Sequence, residues 1–520
     1  MIPTKLISLT TFCLLICICL PAIAGKRVFL QTTPENTTTT TPPNGLVPCL
    51  KAINLNLLTL PGDEFWDDLK KVYSPRYDNN SILGIASVAS EHDIRLVLRC
   101  ARTAGVPAVA RCGGHSFEGF SVLNGSVVID LRPYMARVRV LKGTDLILAQ
   151  GGAKVGEVYY TAWVDASMGF SAGTHPVVGI SGLTLGGGFG FLSRREGLTC
   201  DRLVSLRMVT YSGEVIIANA THNEDLFWAS CGGGGGNFGI VTEWTFRMSA
   251  VPQLVEHAQF LFADNLTLPM WKFYQTWAPD KAPPELGMSF KPQRNPGFIE
   301  MYYIRKNSSE QGPGLADVIA QSGLLDVDPS LTIPLIENMT WIEAVLSMSG
   351  WGLTDIEDLL YATQPGPFRK EKSFYLTQPL SDDGILAISQ LLVKKNKTYT
   401  GGGLQMHPYG GAVASKSNDA TAFPFRQGVL GLIQAQAVWK KPEDQALAED
   451  WLHQLQSIIT GEMPHYGYVN YLDLEPADDW RRVYYAGNYD KLVRIKNKYD
   501  RANFFTFPQS IGSSSDAVVE

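Results

Sequence analysis

The sequence predicts an α+β protein with more than one domain, and three observations carry that reading. Its 520 residues exceed what one hydrophobic core usually organises. Up to about residue 250, short apolar runs alternate with helical patterns and break repeatedly at glycines. From 251 to 474 the glycine loops give way to aromatic-rich strands and amphipathic helices, which marks a second domain.

The N-terminus reads as an address. Lys5 precedes an apolar run from Leu6 to Leu20, and Ala22-Ile23-Ala24 supplies a small-residue cleavage site. Residues 1–24 are therefore expected to be a signal peptide, with a retained anchor as the alternative. Residues 25–45, containing TTPENTTTTTPP, read as a Thr/Pro-rich linker that can bury no core. Asn36, Asn79, Asn124, Asn219, Asn265, Asn307, Asn338 and Asn396 each open an Asn-x-Ser/Thr sequon, which agrees with secretory passage and surface glycosylation.

Further along, Ser90-Glu-His-Asp93 is a capping-box signature, and Ile94, Val97, Leu98 and Ala101 follow at helical spacing until Gly105 closes the helix. Residues 106–110 and 126–131 read as strands. The alternation continues with the apolar run 145–152, a helix near 154–169 and the glycine-rich 173–190. LRMVTYSGEVIIAN (206–219) reads as a hairpin turned at Ser212-Gly213, and 239–248 as an apolar strand. The tail carries one helix over 490–500, whose Lys and Arg are expected to form a solvated face, and then Phe504, Phe505 and Phe507, expected in the core.

Composition excludes several partners. A net charge of −6 and a pI near 5.8 leave no basic excess for nucleic acid or an anionic membrane. No second long apolar segment follows the leader, so a soluble mature protein is expected. After the leader, Cys49, Cys100, Cys112, Cys200 and Cys231 remain. Spacing does not fix their connectivity; Cys49–Cys100 is the first expected bridge, Cys200–Cys231 the second, and Cys112 the expected free thiol. No metal is expected, because H-E-x-x-H and C-x-x-C are both missing after the leader, and G-x-S-x-G is missing too.

Three glycine-rich stretches, 111–116, 179–190 and 232–239, allow a backbone to approach a ligand closely, although any one alone reads equally as a tight turn. Gly234 to Gly239 matches G-x-G-x-x-G, but EDLFWAS before it looks helical and a strand follows. That order is the reverse of a dinucleotide-binding βα turn.

Arg111-Cys112-Gly113-Gly114-His115-Ser116, GTHPVVGISGLTLGGGFG (173–190), GGGGGNFGIV (232–241) and the tail from Tyr468-Val469-Asn470-Tyr471 onward together resemble the berberine-bridge-enzyme-like family. These are flavin oxidases of the vanillyl-alcohol-oxidase superfamily, whose fungal glucooligosaccharide-oxidase branch is included in the resemblance, and the likeness runs from about 70 to 511. It implies an α+β fold with a two-part, PCMH-type FAD-binding domain at 46–250. It further implies a substrate domain at 251–474, an antiparallel sheet covered by helices, and a segment 475–520 returning to the FAD domain.

The resemblance also implies FAD as cofactor, joined through its 8α-methyl group to His115. A second, cysteinyl link is not implied, because Ala172-Gly173-Thr174-His175-Pro176 carries His175 where doubly linked members have cysteine. His175 is then either a lining residue or a space filler. Around the cofactor the resemblance places Arg111, Cys112, Gly113, Gly114 and Ser116 from the first stretch. The second gives Val178, Gly179, Ser181, Gly182, Gly186, Gly187 and Gly190; the third gives Gly239, Ile240 and Val241; and the tail gives Asn488 and Asn503. Val178 stands at the position that gates oxygen, where a small residue goes with oxidases.

Tyr471 is the implied base, beside Tyr468. An ordinary tyrosine pKa of about 10 demands a helper. Relatives keep Gln and Asp on the strand before P-Y-G-G, where this chain has Gln405 and His407, two positions on one face of a strand. The implied activity is a secreted oxidase that moves a hydride from an alcohol or sugar C–H to flavin N5, with O2 reduced to H2O2. The alternatives are a biosynthetic oxidoreductase acting on a secondary metabolite and a flavin-loaded binding protein. No motif reports substrate or oligomeric state.

Overall fold

Three sheets organise the residues that the computed structural model describes, namely 45–292, 296–305, 312–362, 366–393, 401–476 and 478–512. The expected signal peptide, the linker up to residue 44, the sequons at Asn36, Asn307 and Asn396, and residues 513–520 lie outside the described residues.

The first sheet is mixed. Val127–Asp130 runs parallel between Gly84–Ser87 and Ala108–Arg111, and Leu57–Thr59 adds an antiparallel edge. Parallel neighbours need a crossover, which the helix Glu91–Ala104 supplies. It starts and stops as the sequence predicts: the Asp93 amide donates to the Ser90 side chain, and Gly105 closes the end at φ +66°. Its apolar face packs on this sheet, and Cys100 is bridged to Cys49 of the helix Leu46–Ala52.

Antiparallel pairing builds the second sheet, in the order Val138–Val140, Leu146–Gln150, Ile240–Arg247, Leu203–Val209, Val215–Asn219. The expected hairpin is present, with Val209 opposite Val215 and Gly213 turning at φ +88°. The helix Glu224–Ala229 precedes the last glycine run and the strand Ile240–Arg247 follows it, the reverse of a dinucleotide-binding βα turn, so the fingerprint reading fails as expected. Cys200 and Cys231 are bridged, which ties that run to the turn after Gly187, whose carbonyl accepts from the Cys200 amide at 2.9 Å.

Seven antiparallel strands form the third sheet, ending in the neighbours Gly401–Pro408, Gly431–Trp439 and Phe368–Leu376. Its strands begin at Val255, after the second sheet ends at Arg247. Period-two alternation splits its faces. Leu404, Met406, Ile433, Ala435 and Phe374 join a core closed by the helices Thr267–Trp277, Asp382–Val393 and Gln445–Glu462. The opposite face carries Gln405, His407, Gln434 and Gln436.

The tail returns to the first two sheets. Phe505 enters the core of the first, and Leu492, Val493 and Ile511 enter that of the second. One expectation fails here: the cations of the helix Tyr489–Tyr499 are not all solvated. Lys496 is 0% exposed, pairs with Asp500 at 2.8 Å and donates to the carbonyls of Asn237 and Phe505. Burial of that ammonium is tolerated only because each donor direction finds an oxygen. Of the sequon asparagines described, Asn79, Asn124, Asn265 and Asn338 are exposed and Asn219 is half-buried. Among the described residues no helix is long and apolar enough to cross a membrane.

Backbone contact joins the first sheet to the rest. A Cβ on Gly113 would overlap the amide nitrogen of Gly179, and one on Gly179 would overlap the Gly113 amide and the Cys112 sulfur. Gly179→Ala is therefore expected to lower stability by about 1–3 kcal/mol, the usual cost of overpacking, when unfolding is followed in urea. Gly182→Ala, whose Cβ meets nothing within 4 Å, is expected to unfold no earlier than the parent.

Candidate functional site

One cavity gathers most of the residues singled out from the sequence. Cys112, Gly113, Gly114, His115 and Ser116 enter it from the loop after the strand Ala108–Arg111. His175, Val178, Gly179, Ser181, Gly182 and Gly190 form a second wall. A third comes from Gly234 to Gly236 with Gly239, Ile240 and Val241. Gln405, His407, Tyr468 and Tyr471 close the side belonging to the third sheet.

His115 follows Gly114, whose φ of +69° is a turn that only glycine makes cheaply. Its imidazole stacks on Tyr73, with 4.0 Å between ring centroids. Burial first, then the repulsion a protonated His175 would exert and the charges of Arg369, Lys154 and Arg132, lower its pKa to about 3, so the ring is neutral with a free lone pair. His175 is also neutral, brought down to about 4 by burial and by Arg369 and Lys291, and its ring meets Trp351 edge-on. The Cys112 thiol is a wall, not a nucleophile. Burial pushes it up to about 11, and it donates to the Ala153 carbonyl. Ser181 is likewise committed: its hydroxyl donates to the Gly151 carbonyl at 2.6 Å and accepts from the Trp244 indole.

Five expected cofactor contacts stand outside the cavity wall, each for a physical reason. Arg111 is 0% exposed and spends its guanidinium on Asp130 at 2.6 Å and on the Leu69 carbonyl, fixing the strand that carries the His115 loop. Gly186 makes room for Asn470, whose amide donates to the Leu183 carbonyl and to the Tyr468 hydroxyl. Gly187 makes room for the Phe423 ring. Asn488 clips the carbonyls of Asn418 and Thr421. Asn503 turns the chain at φ +47°, and its buried Oδ1 has no hydrogen-bond partner among the described residues.

The tyrosine segment is held from several directions. The Tyr468 amide donates to Ser373 Oγ, and the Tyr468 hydroxyl accepts from the Gly188 amide at 2.9 Å. Two residues beyond Tyr471, Asp473 is paired with Lys370 at 3.2 Å and with Lys372, both on the strand Phe368–Leu376. Tyr471 sits edge-on to Tyr468 at 5.0 Å and packs on Phe117, two residues after His115, at 5.9 Å. Burial first, then Tyr468 and Glu371, push its pKa far above the ordinary value, so the resting phenol is protonated.

Sequence reasoning places Gln405 and His407 beside Tyr471, and both do line the cavity. His407, however, packs edge-on to Phe189 and Phe191. Burial and Lys291 lower its pKa to about 3, which makes it a weak proton acceptor. The carboxyl group that Tyr471 senses is Glu371, which the sequence analysis missed. Glu371 is 0% exposed, accepts from the Gln434 amide at 3.3 Å and lies 3.7 Å from the Arg369 guanidinium, while its Oε1 has no hydrogen-bond partner. Its signal in the sequence was available: Arg369-Lys370-Glu371-Lys372 interrupts a strand whose other residues, Ser373 apart, are aromatic or apolar. A buried strand keeps such charges only where partners await them.

These residues fit FAD. Eleven of the cavity-lining residues are glycine, so main-chain amides can approach phosphate oxygens at several points. At Gly182 and Gly235 a Cβ would meet no protein atom within 4 Å, which leaves that space to a ligand. Buried neutral imidazoles and aromatic rings suit a flat, apolar ring system at the His115 end. Among the described residues, the one cluster with ligand spacing for a metal is Cys200, Asp201 and Cys231, and its two sulfurs are already bridged to each other.

Comparison with known proteins agrees. Residues 82–219 match the model of an FAD binding domain, and residues 467–512 match that of berberine and berberine-like proteins. Berberine bridge enzyme-like C-1 of Nicotiana tabacum is 33% identical, over 81% of this chain and 83% of its own. The structure of BBE-like 1 from Physcomitrella patens superposes with a TM-score of 0.81 at 26% identity, over 90% of this chain and 99% of that one. Phl p 4, a grass pollen allergen with glucose dehydrogenase activity, superposes with a TM-score of 0.80 at 26% identity over the same shares.

Glu371 makes a pH prediction. Burial, only partly offset by Arg369 and Gln434, raises its pKa from 4.5 to about 8. The folded state therefore holds this proton more tightly than the unfolded state does. Its contribution to stability is fully present below about pH 4.5 and is lost as pH rises through about 8. Glu371→Gln, uncharged throughout, is expected to show a Tm advantage over the parent that is absent near pH 4 and grows between pH 5 and 9.

Proposed function

The chain belongs to the berberine-bridge-enzyme-like family of FAD-linked oxidoreductases, and from that premise we propose that it is a secreted oxidase of alcohols or sugars that holds FAD through a single covalent bond to His115. The observation that carries this reading is one cavity bounded by a neutral, buried His115, three glycine-rich walls and Tyr471. Residues 46–250 together with 475–520 make up the cofactor half, and 251–474 the substrate half. The signal-like leader and the exposed sequons support secretion.

FAD, when bound, accepts a hydride from a substrate C–H and passes its electrons to O2, releasing H2O2. The protein does the rest. Glycine-lined walls bring backbone amides to the phosphates, and His115 prevents loss of the cofactor outside the cell. Val178, half-buried in the wall, leaves O2 an approach that a bulkier side chain would block. Gln405, Gln434, Gln436 and Arg369 line the sheet side and offer hydrogen bonds to a substrate rich in hydroxyl groups.

Tyr471 takes the proton of the reacting hydroxyl. Because its own phenol is protonated at rest, its proton must move on, and Glu371 is the carboxyl group assigned to receive it when ionised, a form that predominates only above about pH 8. His407 and Gln405 then orient the hydroxyl and Tyr468 holds Tyr471 in place. The second reading, oxidation of a flat secondary metabolite, is favoured by Phe117, Phe189 and Tyr471, which give the cavity an aromatic side.

Protein precipitated with acid is expected to stay yellow, and His115→Ala to release all its flavin into the supernatant. Tyr471→Phe is expected to slow anaerobic bleaching of the flavin by about 10²–10⁴-fold, the usual worth of a general base. An unchanged rate removes Tyr471 from the mechanism. H2O2 release across a panel of sugars, benzylic alcohols and polyphenols separates the two substrate readings.

A further inference from the structure

His115 is the inner layer of a stack. Tyr73 lies over its imidazole at 4.0 Å between centroids and 17° between planes. The Arg369 guanidinium also lies over the Tyr73 ring, its carbon 4.6 Å from the ring centroid. The cation is favoured over the negative face of the phenol, and the phenol holds the imidazole parallel to itself.

Each layer is fixed by something other than the stack. The Tyr73 amide donates to the Gly114 carbonyl at 3.1 Å, so the stacking ring is tied to the residue directly before His115. Gly366 packs on Tyr73 so closely that a Cβ there would overlap its carbonyl and lie 3.2 Å from its ring. Arg369 stands on the strand Phe368–Leu376 and pairs with Glu371 at 3.7 Å. The stack therefore joins the FAD half of the molecule, through Tyr73 and His115, to the substrate sheet, through Arg369.

We propose that Tyr73 and Arg369 are positioning residues for the attachment of FAD, clamping the His115 imidazole in the plane from which its nitrogen meets the 8α carbon. The proposal rests on the reading that the cofactor is tethered at His115. Attachment breaks one C–H bond of the 8α-methyl group and the N–H bond of the imidazole, and forms one C–N bond. The two protons and two electrons set free enter the isoalloxazine ring, and O2 removes them as H2O2. An imidazole free to rotate reaches that geometry rarely, so the clamp raises the yield of the bond and not the affinity for FAD.

The test separates tethered from merely bound flavin. Wild type, Tyr73→Phe, Tyr73→Leu and Arg369→Met are purified with FAD. Total FAD per chain is read from absorbance, and the tethered share from fluorescence of the denatured chain in a gel. Tyr73→Phe keeps the ring and is expected to match wild type. Tyr73→Leu is expected to lower the tethered share about ten-fold while total FAD holds. Arg369→Met, which leaves the Tyr73 ring in its packing, is expected to lower it in the same direction and decides the matter if Tyr73→Leu fails to fold. Wild-type tethering in Arg369→Met and in any soluble Tyr73→Leu overturns the clamp and leaves the tether standing. Wild-type protein whose flavin is wholly released overturns the tether and the clamp together.

Discussion

Backbone meets backbone where Gly113 crosses Gly179, and the site exists because no side chain stands between them. Around that crossing the neighbouring main chain closes up. The Ile180 amide donates to the Ala153 carbonyl, the Val155 amide to the Val178 carbonyl, and the Cys112 thiol to the Ala153 carbonyl. The result is a rigid junction of two loops that belong to different sheets. His115 is held two residues from the junction, and the wall of Ser181 and Gly182 opens on its other side. A similar approach at Gly151, beside the Val241 carbonyl, brings in the third glycine stretch. Three loops converge because glycine lets three backbones touch.

Electrostatics then divides the cavity into two ends. At the His115 end burial keeps both imidazoles neutral, with pKa values of about 3 and about 4. At the Tyr471 end the strand Phe368–Leu376 carries charge on both faces. Lys370 and Lys372 reach Asp473, and so grip the segment just past Tyr471, while Arg369 and Glu371 face the cavity side. Fixing the Tyr471 segment by buried ion pairs is costly in desolvation, and it is a strong constraint on geometry, because a buried charge cannot leave its partner.

Much of this was legible beforehand, and the reasons differ residue by residue. The capping box at Ser90 to Asp93 and the hairpin at Ser212-Gly213 are local: the side chain and the turn it satisfies lie within four residues of each other. Gln405 and His407 share a face because strand periodicity is a property of the backbone. Gly186 and Asn488 were misread because they stand inside motifs whose other members touch the cavity. Their own partners, Asn470 and the loop at 418–422, are distant in sequence. Lys496 looked solvated because helical charge patterns carry no information about which strand or loop will cover them.

What the sequence by itself determined is chemistry that depends on residue type in a local frame: glycine where the backbone must turn or touch, one imidazole presented after two glycines, alternating strands. The tertiary structure alone decided which charges face each other. Glu371 comes near Tyr471, and Arg369 near Tyr73 and His115, because sheet register and domain packing place residues hundreds of positions apart around one cavity. The strength of a charge interaction depends on distance and burial, and neither is written in a linear chain.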